Sequence, residues 1–335
     1  MIATIKRTFR LGVAIVLLAT CWLGYYAFTA AQLPRTPLEF SIARGSSLKS
    51  VAFQLSDAGI LREPWSFVAL GRLAGKAGAI KAGDYELTSN MSPWRLLQQI
   101  TSGDYTLDEI VFVEGVTFKQ MRKVLNEHTA IRHDTAAMSD PEVLRALGAT
   151  ENAAEGLFFP DTYMFSKNTS DLEILRRAYA NMQQRLSALW PKRAQDVPLA
   201  DPYQALILAS IVEKETGKAA DRGMIAGVLG NRLRLNMKLQ ADPTVIYGLG
   251  DNFDGNLRRR DLQADTPYNT YLRNGLPPTP IAMPGYASIY ATLHPERTTA
   301  LYYVSRGDGA SHFSDSLAEH NRAVTKYQKL PNQVR

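Results

Sequence analysis

The chain has 335 residues, of which 38 are Lys or Arg and 32 are Asp or Glu, so its formal net charge is +6. Hydrophobic residues make up 45% and charged residues 21%, which excludes a disordered protein and allows two folded domains. The single Cys excludes a disulfide framework and a cysteine-based zinc site. The positive charge favours an acidic surface or polymer as partner, while the absence of a dense Lys/Arg block argues against nucleic acid.

Residues 11–31 form an uncharged, mostly apolar run that predicts a transmembrane helix, since 21 residues span about 30 Å. The basic residues within 1–10 predict a short cytoplasmic tail. A cleaved signal peptide has a shorter apolar core, and the lipobox-like segment 18–21 carries Thr20 where a small residue is expected. We therefore expect an uncleaved single-pass anchor, with the remainder of the chain in a periplasm or its equivalent.

An internal repeat follows a short proline-containing segment. Residues 32–37 (QLPRTP) are typical of a stiff linker. Residues 40–48 then match 110–118 at an offset of 70 residues, with Gly45 equivalent to Gly115. Each copy predicts a strand, a glycine turn, a Ser or Thr N-cap and an amphipathic helix.

A strand at residues 83–87 completes a strand–helix–helix–strand order over about 38–87. This order resembles the LysM module, a small glycan-binding fold, and an ordinary packing domain that binds nothing is the alternative. We expect a LysM-like domain at 38–108 and a second domain at 109–335. Residues 130–154 are polar and Ala-rich, and predict a helical insertion in the second domain.

The strongest predicted helix covers residues 201–217, with Asp201 as N-cap, a largely apolar middle and Gly217 at its end. Its last turn carries Glu213 and Glu215, which point about 160° apart because each residue advances about 100° around the axis. Both glutamates continue apolar stripes, and apolar surroundings raise a carboxyl pKa towards the value that a general acid needs. Periodicity does not choose between them, and both could instead face water.

Other chemistries lack their sequence signatures. The five His show no zinc-ligand spacing, and no nucleophile elbow, P-loop or dinucleotide-binding glycine pattern is present. We therefore expect neither a metal nor a cofactor. The Gly-rich turn after residues 302–304 predicts a hairpin that returns at 312–313.

Several long blocks resemble one family. The blocks are Glu155–Tyr163 (EGLFFPDTY), Ser210–Thr216 (SIVEKET), Leu239–Gly248 (LQADPTVIYG), Tyr268–Tyr271 (YNTY), Gly275–Pro278 (GLPP), His312–Phe313 (HF) and Glu319–Asn321 (EHN). Their order and spacing are similar to the YceG-like family of endolytic murein transglycosylases, and the resemblance extends over nearly the whole chain. Phe159 and Ala241 are small departures that remove no chemically needed group.

The resemblance implies that Glu213 is the catalytic residue of an enzyme that cuts the β-1,4 bond between N-acetylmuramic acid (MurNAc) and N-acetylglucosamine (GlcNAc). Glu213 would protonate the glycosidic oxygen and then deprotonate the muramyl 6-hydroxyl, which closes on C1 as a 1,6-anhydro ring. Because the nucleophile belongs to the substrate, one carboxyl serves both steps, whereas a hydrolase usually needs two. The loop blocks supply candidate substrate-binding residues: Gln240, Asp242, Tyr247, Asn269 and Tyr271.

The resulting prediction is an α+β protein with an N-terminal transmembrane helix, a LysM-like domain and an α+β lytic transglycosylase catalytic domain. Its expected location is the bacterial inner membrane, with the catalytic domain in the periplasm. Nascent peptidoglycan strands would be its substrate, and peptidoglycan synthases are implied as partners. A non-catalytic glycan-binding scaffold and a hydrolytic muramidase are the alternatives.

Overall fold

A computed structural model describes residues 2–30, 33, 38–87, 91–103 and 107–329. Apart from Leu33, the predicted linker 32–37 lies outside the described residues. The chain divides into two compact units: one contains residues 1–108 and 164–168, and the other contains 109–163 and 169–335.

The first unit begins with helix α1 (Ile2–Phe28), most of which is exposed. Within the part of the chain that the structure describes, only α1 is long and apolar enough to cross a membrane, over Phe9–Phe28. The predicted apolar run ended at residue 31, so the helix ends three residues earlier than expected.

A βααβ arrangement follows α1 in the first unit. Its elements are β1 (Leu38–Ile42), α2 (Leu48–Asp57), α3 (Pro64–Leu73) and β2 (Gly83–Leu87), and the helix α4 (Pro93–Ser102) follows them in the same unit. Strands β1 and β2 pair antiparallel, with Leu38 opposite Leu87. Alternate strand residues and the inner faces of the helices form one apolar core, in which Val51, Phe67 and Leu97 are fully buried.

Eight α-helices and six short strands lie wholly or, for two of the strands, partly in the second unit among its described residues. They are β3 (Asp108–Val111), α5 (Phe118–Glu127), β4 (Ile131–Arg132), α6 (Asp140–Leu147), β5 (Thr162–Phe165), β6 (Thr169–Ser170), α7 (Asp171–Leu189), α8 (Pro202–Glu215), α9 (Arg222–Arg234), α10 (Asp242–Leu249), α11 (Tyr286–Leu293), β7 (Tyr302–Ser305), β8 (Ser311–Ser314) and α12 (Leu317–Val324). Strand β3 pairs with β5, β4 with β6, and β7 with β8 as the predicted antiparallel hairpin.

The sequence repeat produces the predicted local structure twice. In α2 the N-cap is Ser47, and in α5 it is Thr117, which forms a capping box with Gln120. The preceding glycines, Gly45 and Gly115, have φ of 80° and 78°, a conformation that side chains with a Cβ rarely adopt.

The predicted helical insertion at 130–154 is helical only over α6. Ser139 forms a capping box at its start, with a proline in the first turn, and Gly148 ends it in the left-handed conformation. Residues on either side form the short strand β4 and irregular loops. The Ala-rich composition therefore indicated a longer helix than the structure has, because composition alone does not show where a helix starts and stops.

Candidate active site

Helix α8 passes through the core of the second unit and carries both candidate glutamates in its last turn. Asp201 caps it by accepting a hydrogen bond from the Gln204 amide at 2.8 Å, as predicted, and Thr216 ends it. Residues 205–212 are all buried, and α8 packs against α9, α10 and α11. This packing fixes the direction in which each glutamate leaves the last turn.

Glu215 opens into a cleft of about 450 Å³. The cleft is bounded by α8, the loop before α10, the hairpin of β7 and β8, and α12. Its walls combine a cation, carboxylates, amides, hydroxyls and aromatic rings: Glu215, Arg232, Gln240, Asp242, Tyr271, Tyr302, Tyr303, Val304, Ser305, Ser311, Leu317, His320, Val324 and Gln328. Such a mixture suits a polar ligand with sugar-like faces and hydroxyls.

The pKa of the Glu215 carboxyl is the result of opposing effects. Burial raises its pKa to about 7, and the charge of Asp242 adds to the rise, while a hydrogen bond from Tyr303 and the nearby Arg232 lower it. Burial also raises the pKa of the Tyr303 hydroxyl, which therefore stays protonated and donates to the carboxylate. A carboxyl with this pKa can both give and take a proton near pH 7.

Arg232 of α9 is a buried cation fixed by backbone carbonyls. It is 6% exposed, and its Nε and Nη1 donate to the carbonyls of Leu301 and Leu239 at 2.7 Å each. Its guanidinium also lies 5.2 Å from the centre of the Tyr302 ring. Arg232 therefore ties two walls of the cleft together and brings positive charge close to Glu215.

Three of the five predicted binding residues lie in this cleft: Gln240, Asp242 and Tyr271. The Tyr271 hydroxyl donates to Asp242 Oδ1 at 2.5 Å, so these two side chains are held as a pair. Gln240 has a left-handed backbone with φ of 48°, which is unusual for a residue other than glycine. The backbone amide of Gln240 donates to the Thr270 carbonyl at 3.1 Å, and this bond holds the turn against the YNTY block.

The other two predicted binding residues brace the loops instead. Tyr247 does not line the cleft; its hydroxyl donates to Glu155 Oε2 at 3.1 Å, and its ring packs on that of Tyr268. Asn269 is fully buried, and its Oδ1 accepts the Tyr271 amide at 2.9 Å, so it positions the backbone of a cleft residue. Burial raises the pKa of Glu155 to about 7.

Glu213 lies on the opposite side of α8 and does not line the cleft. Its Oε2 accepts the backbone amide of Gly285, the N-cap of α11, at 3.0 Å. Glu114 is its acidic neighbour, with a pKa raised first by burial and then by the charge of Glu213. The next residue, Lys214, donates to the Gly115 carbonyl at 3.1 Å. Glu213 is therefore not among the residues that line this cleft with Gln240, Asp242 and Tyr271, and its catalytic role stays a prediction.

Sequence reasoning gave no site role to Arg232, Tyr302, Tyr303 or His320. The two tyrosines were assigned only to a hairpin, and His320 only to a family block. Arg232 gave no clear signal either, because it lies in the last turn of α9 next to Asn231 and close to Arg234, where basic residues are common. The approach of the hairpin to α8 comes from tertiary packing and leaves no signal in the sequence.

An α+β unit with a carboxyl of pKa about 7 at an aromatic and polar cleft is characteristic of an enzyme that carries out acid–base chemistry on a polar substrate. The chain belongs to the YceG-like family, whose model matches residues 40–326, well over half of the chain.

Relatives with known names agree with this membership. An endolytic murein transglycosylase of Bacillus subtilis is 30% identical over 317 residues, covering 89% of this chain and 87% of the relative. One of Streptococcus pneumoniae is 26% identical and covers 85% of this chain but 57% of the relative. The crystal structure of a YceG-like protein from Listeria monocytogenes is 28% identical, with a TM-score of 0.54, and covers 85% of this chain and 98% of that one.

Proposed function

We propose that this protein is an endolytic murein transglycosylase. It cleaves the MurNAc-β-1,4-GlcNAc bond of nascent peptidoglycan strands and leaves 1,6-anhydro-MurNAc ends. Family membership and the names of the Bacillus and Streptococcus relatives support the activity. The main structural support for the proposal is the Glu215 carboxyl, which lines the cleft with Arg232 and Tyr303 and has a pKa of about 7.

In this proposal Glu215, and not Glu213, is the acid and base. Glu215 lines a cleft large enough for sugar rings, whereas the Glu213 carboxylate is engaged by the start of α11 and has Glu114 as a neighbour. The two residues belong to the same sequence block; the family resemblance implies Glu213, whereas the surroundings of the two side chains favour Glu215. The reassignment therefore changes the residue and keeps the reaction.

The reaction needs one proton carrier and no water. Protonated Glu215 gives its proton to the glycosidic oxygen as the C1–O bond breaks, and the freed GlcNAc end leaves with a hydroxyl. The resulting carboxylate takes the proton of the muramyl 6-hydroxyl while that oxygen bonds to C1 and closes the anhydro ring. Tyr303 and Arg232 stabilise the carboxylate between the two steps.

The cleft residues Gln240, Asp242 and Tyr271 would bind the sugar hydroxyls and N-acetyl groups. The Asp242–Tyr271 pair offers a carboxylate acceptor beside an aromatic face, which suits a sugar ring. Tyr247 and Asn269 would act indirectly, by holding the loops that carry these residues.

A hydrolytic muramidase is the second candidate, because Asp242 is a second carboxylate in the cleft and its charge acts on Glu215. Analysis of murein digested by the purified protein separates the candidates. Anhydro-MurNAc ends support the transglycosylase, reducing MurNAc ends support the hydrolase, and uncut strands support a glycan-binding scaffold.

Helix α1 acts as a single-pass anchor in the bacterial inner membrane, with residues 1–10 cytoplasmic and the catalytic unit, residues 109–335, in the periplasm. The βααβ arrangement supports a LysM-like glycan-binding domain at 38–108. We expect deletion of 38–108 to weaken binding to glycan strands in cosedimentation, with peptidoglycan synthases as the neighbours that supply those strands.

A further inference from the structure

The outer end of α1 is part of the folded core of the first unit. Ala27 is 3% exposed and belongs to the apolar core, and Leu23 and Tyr26 pack against it. These positions, three and four residues apart, form one stripe of the helix. The Tyr26 hydroxyl also donates to the Glu63 carbonyl, just before α3, at 2.9 Å. The βααβ domain is therefore joined to the helix by packing as well as by the chain between them.

An apolar crevice lies where α1 meets α3 and α4. Its volume is about 240 Å³, and it is lined by Thr20, Leu23, Gly24, Ala27, Phe28, Leu70 and Trp94. Thr20 supplies the one polar side chain, and its hydroxyl is turned back to the Val16 carbonyl at 2.8 Å. The crevice therefore presents an almost wholly apolar lining.

The crevice continues the exposed apolar surface of α1, where large side chains such as Leu17 and Leu18 are 59% and 71% exposed. Thr20 lies eight residues before Phe28, or about 12 Å along the helix. If Phe28 marks the bilayer surface, Thr20 lies within the outer half of the hydrocarbon core, which is about 15 Å deep. The lower part of the crevice is then at the depth of acyl chains.

A second crevice, of about 400 Å³, lies at the outer end of α1 and has a mixed lining that includes Trp22, Tyr25 and Arg62. Tyr25, about one turn below Phe28, is 65% exposed, and such an aromatic ring favours the membrane–water interface. The lining carries both Arg62 and Glu63, and the guanidinium of Arg62 is the group in it that suits lipid phosphate.

We propose that the βααβ domain is seated on the outer leaflet and that the crevice between α1, α3 and α4 binds an acyl chain of a membrane phospholipid. The proposal rests on the anchoring of α1 in the proposed function. It makes the lipid part of the domain's support, so that the domain stays at a fixed height above the bilayer.

Tryptophan quenching in vesicles tests the proposal on the full-length protein. Three variants each retain one tryptophan of the first unit, Trp22, Trp65 or Trp94, with Phe at the other tryptophans. They are reconstituted into phosphatidylglycerol–phosphatidylcholine vesicles that carry bromine at the middle of the acyl chains. Trp65 is the matched control because it lies on α3, about 140° around the axis from Leu70, and packs on Phe53 of α2.

We expect strong quenching of Trp22 and Trp94 and much weaker quenching of Trp65. If Trp94 is quenched no more strongly than Trp65, the crevice does not bind an acyl chain and the proposal is overturned. Strong quenching of Trp22 in the same experiment would still support the membrane anchor. Absence of Trp22 quenching overturns the anchor, and the crevice proposal with it.

A second measurement needs no tryptophan replacement. Photoreactive phospholipid with a diazirine in its acyl chain is expected to label peptides that contain Leu70 or Trp94 as well as α1. Gly24→Leu places a branched side chain in the crevice, where nothing lies within 4 Å of an added Cβ, and is expected to abolish labelling of α3 and α4. Gly12→Leu, equally open and outside the crevice, is the control and leaves that labelling intact. Labelling confined to α1 in the unsubstituted chain contradicts the proposal.

Discussion

The two glutamates at the end of α8 give the most direct test of the site, because they lie on one helix and differ in what surrounds them. We predict that Glu215→Gln abolishes the formation of anhydro-MurNAc ends, while Glu213→Gln retains most of it. Glutamine keeps the shape of both side chains and removes only the transferable proton.

The expected magnitude follows from the pKa. With a pKa of about 7, half of the Glu215 carboxyls are protonated at pH 7, whereas at the ordinary value of 4.5 about one in 300 would be. A glutamine at this position has no proton to give, so turnover should fall by about 10²- to 10⁴-fold, the usual scale for loss of a general acid or base. At position 213 the glutamine oxygen can still accept the Gly285 amide, so we expect a change of only a few-fold.

The assay is separation and mass analysis of muropeptides released from purified murein strands, with thermal unfolding of each variant as the control for folding. In the Glu215→Gln variant Tyr303 can still donate to the amide oxygen of the new side chain, so both variants should unfold near the temperature of the unsubstituted protein. A folded Glu215→Gln variant that still forms anhydro ends, together with an inactive and folded Glu213→Gln variant, would refute the reassignment and return the catalytic role to Glu213.

Three further predictions concern pH, packing and the anchor. The value of kcat/KM should fall as the pH rises above about 7, because the proton donor is then lost. Tyr303→Phe should move this fall upward by about one pH unit, since it removes a hydrogen bond that lowers the pKa of Glu215. A downward shift, or no shift, in the pH–rate profile argues against a hydrogen bond from Tyr303 to Glu215. Gly227→Ala should destabilise the protein by about 1–3 kcal/mol in urea unfolding, because its Cβ would lie 2.6 Å from the Glu296 carbonyl oxygen. The control, Gly230→Ala on the same helix, meets only Pro198 at 3.8 Å and should be neutral or stabilising. Equal effects of the two substitutions would show that the close contact is relieved at little cost. The full-length protein should resist carbonate extraction and keep residues near Met1, whereas a mature amino terminus near residue 32, or a lipidated Cys21, would contradict an uncleaved anchor.

The sequence by itself determined the local structure. The repeat at an offset of 70 residues predicted the glycine turns at Gly45 and Gly115 and the caps at Ser47 and Thr117, because each depends on residues within a few positions. The start of α8 at Asp201 and the hairpin were predicted for the same reason. The long blocks also predicted the family, since their order and spacing are properties of the chain alone.

Only the tertiary structure decided which end-of-helix glutamate faces the cleft. Periodicity fixes the angle between Glu213 and Glu215, but it does not fix which neighbours surround each side of the helix. That depends on contacts between distant segments: the loop at Gly285 binds Glu213, while the hairpin brings Tyr303 to Glu215. The same long-range packing puts Tyr271 in the cleft and buries Asn269, because a loop can present residues two positions apart to different surroundings.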